Sequence, residues 1–102
     1  MEPDRINPRG PKPVYIQLAA VIRRQIISGK LKPDEAIPSQ TYMTRTYGVS
    51  RGSVAHAVAV LLNEGLLSTV KGKGVYVTPE NQREAAAKEY RSQRLPGEPG
   101  GT

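Results

Sequence analysis

The sequence predicts an α+β, mainly helical domain: three helices, then a two- or three-stranded β-wing. Three observations carry that prediction. Apolar residues recur at helical spacing in three stretches between Val14 and Gly65, and a glycine (Gly29, Gly48, Gly65) ends each one. Ser39 and Ser50 are cap-type residues at the starts of the second and third stretches. Beyond Gly65 the pattern shortens to β-branched runs at 66–70 and 75–77, on either side of the turn signal Lys71-Gly72-Lys73-Gly74.

The chain has 102 residues, enough for one small domain with tails. A domain of that size buries roughly 60% of its unfolded surface, too little for a deep catalytic cleft beside a core. There is no cysteine, which excludes disulfide scaffolds and thiolate metal sites. No apolar run approaches the roughly 20 residues of a membrane span, and the polar start MEPDRINPRGPKP lacks the apolar core of a signal peptide. A soluble, cytoplasmic protein is expected. The formal charge of +6 is concentrated between residues 14 and 79, where eight basic side chains face three acidic ones. That imbalance favours a polyanionic partner.

Residues 1–12, rich in proline, read as a disordered arm whose cations Arg5, Arg9 and Lys12 could touch a phosphate backbone. The domain proper is expected over 13–79. In its first helix Tyr15, Leu18, Ala19, Ile22 and Ile26 form one apolar stripe, with Arg23, Arg24 and Gln25 off it. The connection after Gly29 has room for a short strand at Ile37. On the next segment Met43 and Tyr47 fall four apart, and Gly48-Val49 breaks the helix. The third helix puts Val54, Ala57, Val58, Leu61 and Leu62 inward, leaving Arg51, Gly52, Ala55, His56, Ala59 and Asn63 outward. Near its start that outward face is small or polar, as close approach to base edges requires.

Two helices joined by a short glycine-containing turn make a helix-turn-helix, whose second helix can enter the DNA major groove. The hairpin cannot stand alone in water and must pack on the helices. Together they predict a winged helix-turn-helix. Residues 80–102 read as a linker or partly helical tail with a disordered end. Thr78 is the candidate cap and Pro79 the first turn of an extra C-terminal helix, frayed because its apolar content (Ala85, Ala86, Ala87, Tyr90) is slight.

A longer series of residues extends this reading. Pro13-Val14-Tyr15-Ile16-Gln17-Leu18, Ile37-Pro38-Ser39, Tyr47-Gly48-Val49-Ser50-Arg51, Ser53-Val54, Asn63-Glu64-Gly65 and Lys71 through Val77 occur in order across 13–79. In that order and spacing they resemble the DNA-binding domain of the GntR family of bacterial transcription regulators. The resemblance implies a winged-helix domain that binds an operator as a dimer, with the second helix of the motif in the major groove and the wing at the minor groove. Carried over by position, Ser39, Arg51, Ser53, Gly72 and Lys73 would contact DNA. The chain departs from the family at Gln40 and Thr41, where Glu and Arg are usual. It departs again at Gly52 and Ala55, where a larger residue and an arginine are usual. The family's ordinary operator is therefore not expected. Family members also carry a C-terminal effector-binding or oligomerising domain, whereas 23 residues follow Pro79 here.

The chemistry of these residues fits that role. Arg51 stands in the first turn of the recognition helix, about 50–64, where a guanidinium can fork to guanine O6 and N7. Ser50 caps the helix, leaving Ser53 freer to reach a phosphate or base. His56 is the single histidine, weighed between DNA contact and simple exposure; with no second His or Cys it is not a metal ligand. Lys71, Gly72 and Lys73 combine cationic heads with a backbone that can approach a narrow minor groove. Ser39, Gln40 and Thr41 offer free backbone N–H groups to a phosphate.

Other functions find less support. No paired carboxylates, nucleophile–base pair or Gly-rich phosphate loop assembles, so no enzyme, cofactor or metal is expected. With no Phe and no Trp, stacking platforms for single strands are lacking. The reading is a sequence-specific double-stranded DNA-binding regulator, a repressor because so small a protein has little surface left to recruit polymerase. It would act as a homodimer, at least on DNA, on an operator of two half-sites. No small-molecule effector site is evident. The alternative is a winged-helix protein-interaction or non-specific nucleic-acid-binding module.

Overall fold

Helix α1 spans Val14–Ile27 and starts after Pro13, whose carbonyl accepts from the N–H groups of Ile16 and Gln17, each at 3.1 Å. The structure, a computed structural model, describes residues 5–93. Leu18, Ala19, Val21, Ile22 and Ile26 of α1 are buried, and Tyr15 is half-buried. The stripe is thus as expected, but wider. Gln25 is a correction: it is 8% exposed, and its Nε2 donates to the Tyr47 hydroxyl at 3.2 Å. A buried amide is tolerated because that partner arrives from another helix.

Helices α2 (Gln40–Tyr47) and α3 (Arg51–Asn63) form the predicted pair around Gly48, whose φ is +66°. Val54, Ala57 and Leu61 of α3 are buried against α1 and α2, while Val58 and Leu62 are half-buried. Helix α3 ends in a paired motif, Leu66 N–H to Leu61 O and Gly65 N–H to Leu62 O, both 3.0 Å. Gly65 takes the left-handed φ of +81° that this ending requires.

Strands β1 (Leu67–Val70) and β2 (Gly74–Val77) pair antiparallel, with Leu67 opposite Val77 and Val70 opposite Gly74. Leu67 and Val77 at the base are buried and hold the hairpin to the core. The expected strand at Ile37 is reduced to a bridge between Ala36 and Tyr76 on the outer edge of β2. It is extended by Val77 N–H to Glu35 O at 2.8 Å and Ile37 N–H to Val75 O at 3.1 Å. Asp34, at φ +67°, turns the chain into this edge.

Two terminal expectations are corrected. The N-terminal arm, where described, is folded back on α1. Gln17 Oε1 accepts from Asn7 N–H at 2.7 Å, and Gln17 Nε2 donates to Asn7 O at 2.8 Å and Lys12 O at 2.7 Å. Ile6 packs against the core. At the other end a 3-10 turn, Glu80–Gln82, capped by Pro79 rather than Thr78, leads into α4 (Arg83–Ser92). Thr78 is buried and shares a 2.5 Å hydroxyl contact with Ser68. Helix α4 docks on α3 and β1 through buried Ala87 and half-buried Tyr90, so it is not frayed. Arg91 also donates to Asn63 O at 3.0 Å, satisfying a carbonyl at the end of α3. The expected disordered end, residues 94–102, lies outside the described residues.

Candidate nucleic-acid interface

The start of α3 is built by a hydroxyl cap. Ser50 lies in extended backbone, and its Oγ accepts from Ser53 N–H at 3.1 Å. The same Oγ donates to Ser53 Oγ at 3.1 Å, which leaves the Ser53 hydroxyl proton free to point outward. Arg51 is exposed in the first turn, and among the described residues its guanidinium has no hydrogen-bond or ion-pair partner. Ser39 caps α2 in the same way, accepting from Tyr42 N–H at 3.0 Å. Gln40 reaches across from α2 to the Arg51 carbonyl at 3.4 Å, joining the two helix starts. Thr41 is exposed beside it.

Gly52 is exposed, and a Cβ built there would meet only Ser50 Oγ at 3.9 Å. Neither space nor backbone conformation requires glycine. Replacing it with alanine is expected to stabilise the helix by about 0.5–1 kcal/mol, since glycine costs that much within a helix. A rise of a few degrees in the thermal midpoint of Gly52→Ala would confirm that glycine is not kept there for the fold.

The wing closes in a turn in which Lys73 N–H donates to Val70 O at 2.9 Å and Gly72 adopts φ +77°. Lys71, Gly72 and Lys73 are all exposed there. Between wing, α2 and α3 runs a trough of about 420 Å³ lined by Ser39, Gln40, Ala55, Val58, Lys73 and Val75, among others. The structure therefore gathers Ser39, Gln40 and Lys73 around one concave surface, with Arg51 and Ser53 at the helix start beside it. The apolar walls supplied by Val58 and Val75 were not anticipated, although Ala55 one turn beyond Arg51 was the available signal.

His56 is set apart from this trough. Its ring stacks on Tyr15 of α1, with centroids 3.6 Å apart and planes 3° from parallel, although the residue itself is exposed. Tyr15 was expected in the core stripe and supplies this platform. The basic balance is also modified by one pair: Arg23 binds Glu64 bidentately, Nε to Oε1 at 2.9 Å and Nη2 to Oε2 at 2.6 Å. Arg23 is thereby occupied holding α1 to the end of α3. Among the described residues no three His, Asp or Glu side chains converge as metal ligands would. No helix there is long and apolar enough to cross a membrane.

An arginine at a capped helix start thus stands beside a cationic hairpin tip on one exposed surface. The HTH-type transcriptional repressor NagR of Bacillus subtilis is 38% identical over 80 residues, 78% of this chain and 33% of NagR. The mannosyl-D-glycerate transport/metabolism system repressor MngR of Escherichia coli is 41% identical over 71 residues, 70% of this chain and 30% of MngR. The chain thus spans about a third of the length of these curated relatives. Among solved structures, the AraR DNA-binding domain in complex with operator ORE1 matches with a TM-score of 0.62 and 36% identity, covering 66% of this chain and 82% of that one. YtrA of Sulfolobus acidocaldarius, a GntR-family transcription factor, matches with a TM-score of 0.69 and 28% identity over 91% of this chain and 99% of its own. The architecture is the winged helix of these DNA-binding domains. The model of the bacterial regulatory proteins of the gntR family matches residues 14–77, and the chain belongs to that family.

Proposed function

We propose that this domain is the DNA-reading part of a transcriptional repressor, docking the start of α3 in the major groove of an operator and the wing tip at the minor groove. The observation that carries the reading is the unpaired Arg51 at the capped start of α3, beside a trough that runs to Lys73 on the wing. Arg51 and Ser53 read or anchor at the groove floor, and Ser39, Gln40 and Thr41 meet a phosphate at the start of α2. Lys71, Gly72 and Lys73 follow the neighbouring backbone. His56 acts beside its Tyr15 platform, at the edge of the contact. One recognition helix reads only a few base pairs, so two copies on two half-sites supply useful specificity. A bacterial chromosome as partner puts the protein in the cytoplasm.

Selection of duplexes from random sequence, followed by gel shifts across a salt series, tests this. A recurring half-site, with affinity falling steeply as salt rises, is the expected result. Recovery of no enriched sequence and no salt-dependent binding would sink the reading. Lys73→Ala should weaken binding to selected and scrambled duplexes alike and lower the log–log salt slope by about 1. A loss confined to the selected duplex would instead make Lys73 a base reader.

A further inference from the structure

We propose that the turn formed by residues 7–12 is a third DNA contact, a preformed seat that presents Arg9 and Lys12 to backbone phosphates bordering the groove that receives α3. The inference rests on the DNA reading above and adds a binding element outside both the helix pair and the wing.

The turn is built, not loose. Asn7-Pro8-Arg9-Gly10 has the residue order that a tight turn favours, and Gly10 N–H donates to Asn7 O at 3.0 Å. Arg9 N–H donates to Asn7 Oδ1 at 3.1 Å, fixing the corner from its own side chain. Gln17 then clasps both ends: its amide spans Asn7 N–H, Asn7 O and Lys12 O at 2.7–2.8 Å. Every atom that closes the turn is backbone or amide, so neither cation is used in the closure. Arg9 and Lys12 are exposed, and among the described residues neither side chain has a partner.

Its position supplies the ligand class. Tyr15, three residues after Lys12, stacks face to face on His56, which lies on the outward side of α3 just past Gly52 and Ser53. Three residues of chain reach at most about 10 Å, and the major groove is about 12 Å wide. Lys12 thus lies within about 10 Å of Tyr15, beside the outward side of α3, so that with α3 in the groove the proposed contact is with phosphates at the rim and not with base edges. Cations held in place by a turn lose less freedom on binding than cations on a loose tail, which is the physical use of the clasp. Phosphate contacts of this kind position a protein without carrying sequence information.

The test compares wild-type protein, Arg9→Ala/Lys12→Ala and Gln17→Ala on a duplex recovered by selection and on its scrambled version, across a salt series. The double variant should lower the salt slope by about 2 and bind about tenfold or more weaker at 0.1 M salt, since each contact releases about one counterion. The preference for selected over scrambled DNA should be unchanged. Gln17→Ala keeps both charges and should still bind several-fold more weakly. An unaltered slope in the double variant overturns the proposal, as does a changed preference, which would mean base reading. Gln17→Ala binding like wild type overturns the preformed seat. If a thermal melt shows Gln17→Ala unfolded, the double variant on the surface decides alone. Failure of the wild-type protein to bind either duplex is a different result, and it counts against the DNA reading itself.

Discussion

Gly65→Ala is expected to lower the thermal midpoint by roughly 10–30 °C, an effect expected to exceed that of the other glycine replacements described here. Two costs coincide at this residue. Its φ of +81° is one that an L side chain resists, at about 1–2 kcal/mol. A Cβ there would also lie 2.0 Å from the Arg83 carbonyl oxygen, 2.9 Å from its carbon and 3.1 Å from Ala87 Cβ. The obstacle is the backbone at the start of α4, which cannot turn aside as a side chain would, so the helix must move. Overfilling a packed site costs about 1–3 kcal/mol more, and a domain of this size loses about 4–8 °C per kcal/mol. Gly29 is the control. It has φ +86° but nothing within 4 Å of a built Cβ, so Gly29→Ala carries only the conformational cost. Calorimetry on the two variants should show a much larger drop for Gly65→Ala. Equal drops would mean that α4 does not rest on Gly65.

Arg51→Ala is expected to reduce affinity for a selected duplex by about 5- to 150-fold, the equivalent of about 1–3 kcal/mol, with a much smaller loss on scrambled DNA. The Arg51 side chain, in the first turn, has no partner among the described residues, its carbonyl that accepts from Gln40 is kept in the variant, and the Ser50 cap bonds Ser53 rather than Arg51. The melt should therefore stay where it is while binding falls. Selection repeated with the variant should relax one position in each half-site. Equal losses on both duplexes would make Arg51 a phosphate contact.

The helices and the hairpin were legible because each is bounded by cues that act locally. Ser39 and Ser50 bond the N–H groups three residues on, and the hairpin runs change period within a few residues. Gln25 was not legible, because its burial depends on the hydroxyl of Tyr47, 22 residues away. The N-terminal turn was misread for a related reason. Proline and glycine mark both tight turns and unstructured tails, and only the placement of Gln17 opposite Asn7 separates the two cases. Helix α4 offers the sharpest example. Its own composition argues against burial, yet what lets it dock is a missing side chain at Gly65, whose left-handed ending already gave a sufficient reason for glycine. Of the candidate site, the Ser50 cap and the exposed wing tip could be read from residue type. The trough that joins them needed β2 and the Ala36 bridge in three dimensions.

The far end of α3 is staked from two sides, by the forked Arg23–Glu64 pair and by Arg91 on the Asn63 carbonyl. The near end has the Ser50 cap, a 3.4 Å reach from Gln40, buried Val54 and, just beyond it, the His56–Tyr15 stack. Helix α3 is therefore tied by side chains from α1 and α4 at its far end, and by a cap at the end that the proposed reading places in the groove. Amide exchange should be slowest in its last turns and fastest in its first. A change at α4 would bear first on the far end of α3, where Arg91 donates to the Asn63 carbonyl, and not on the residues around Ser50.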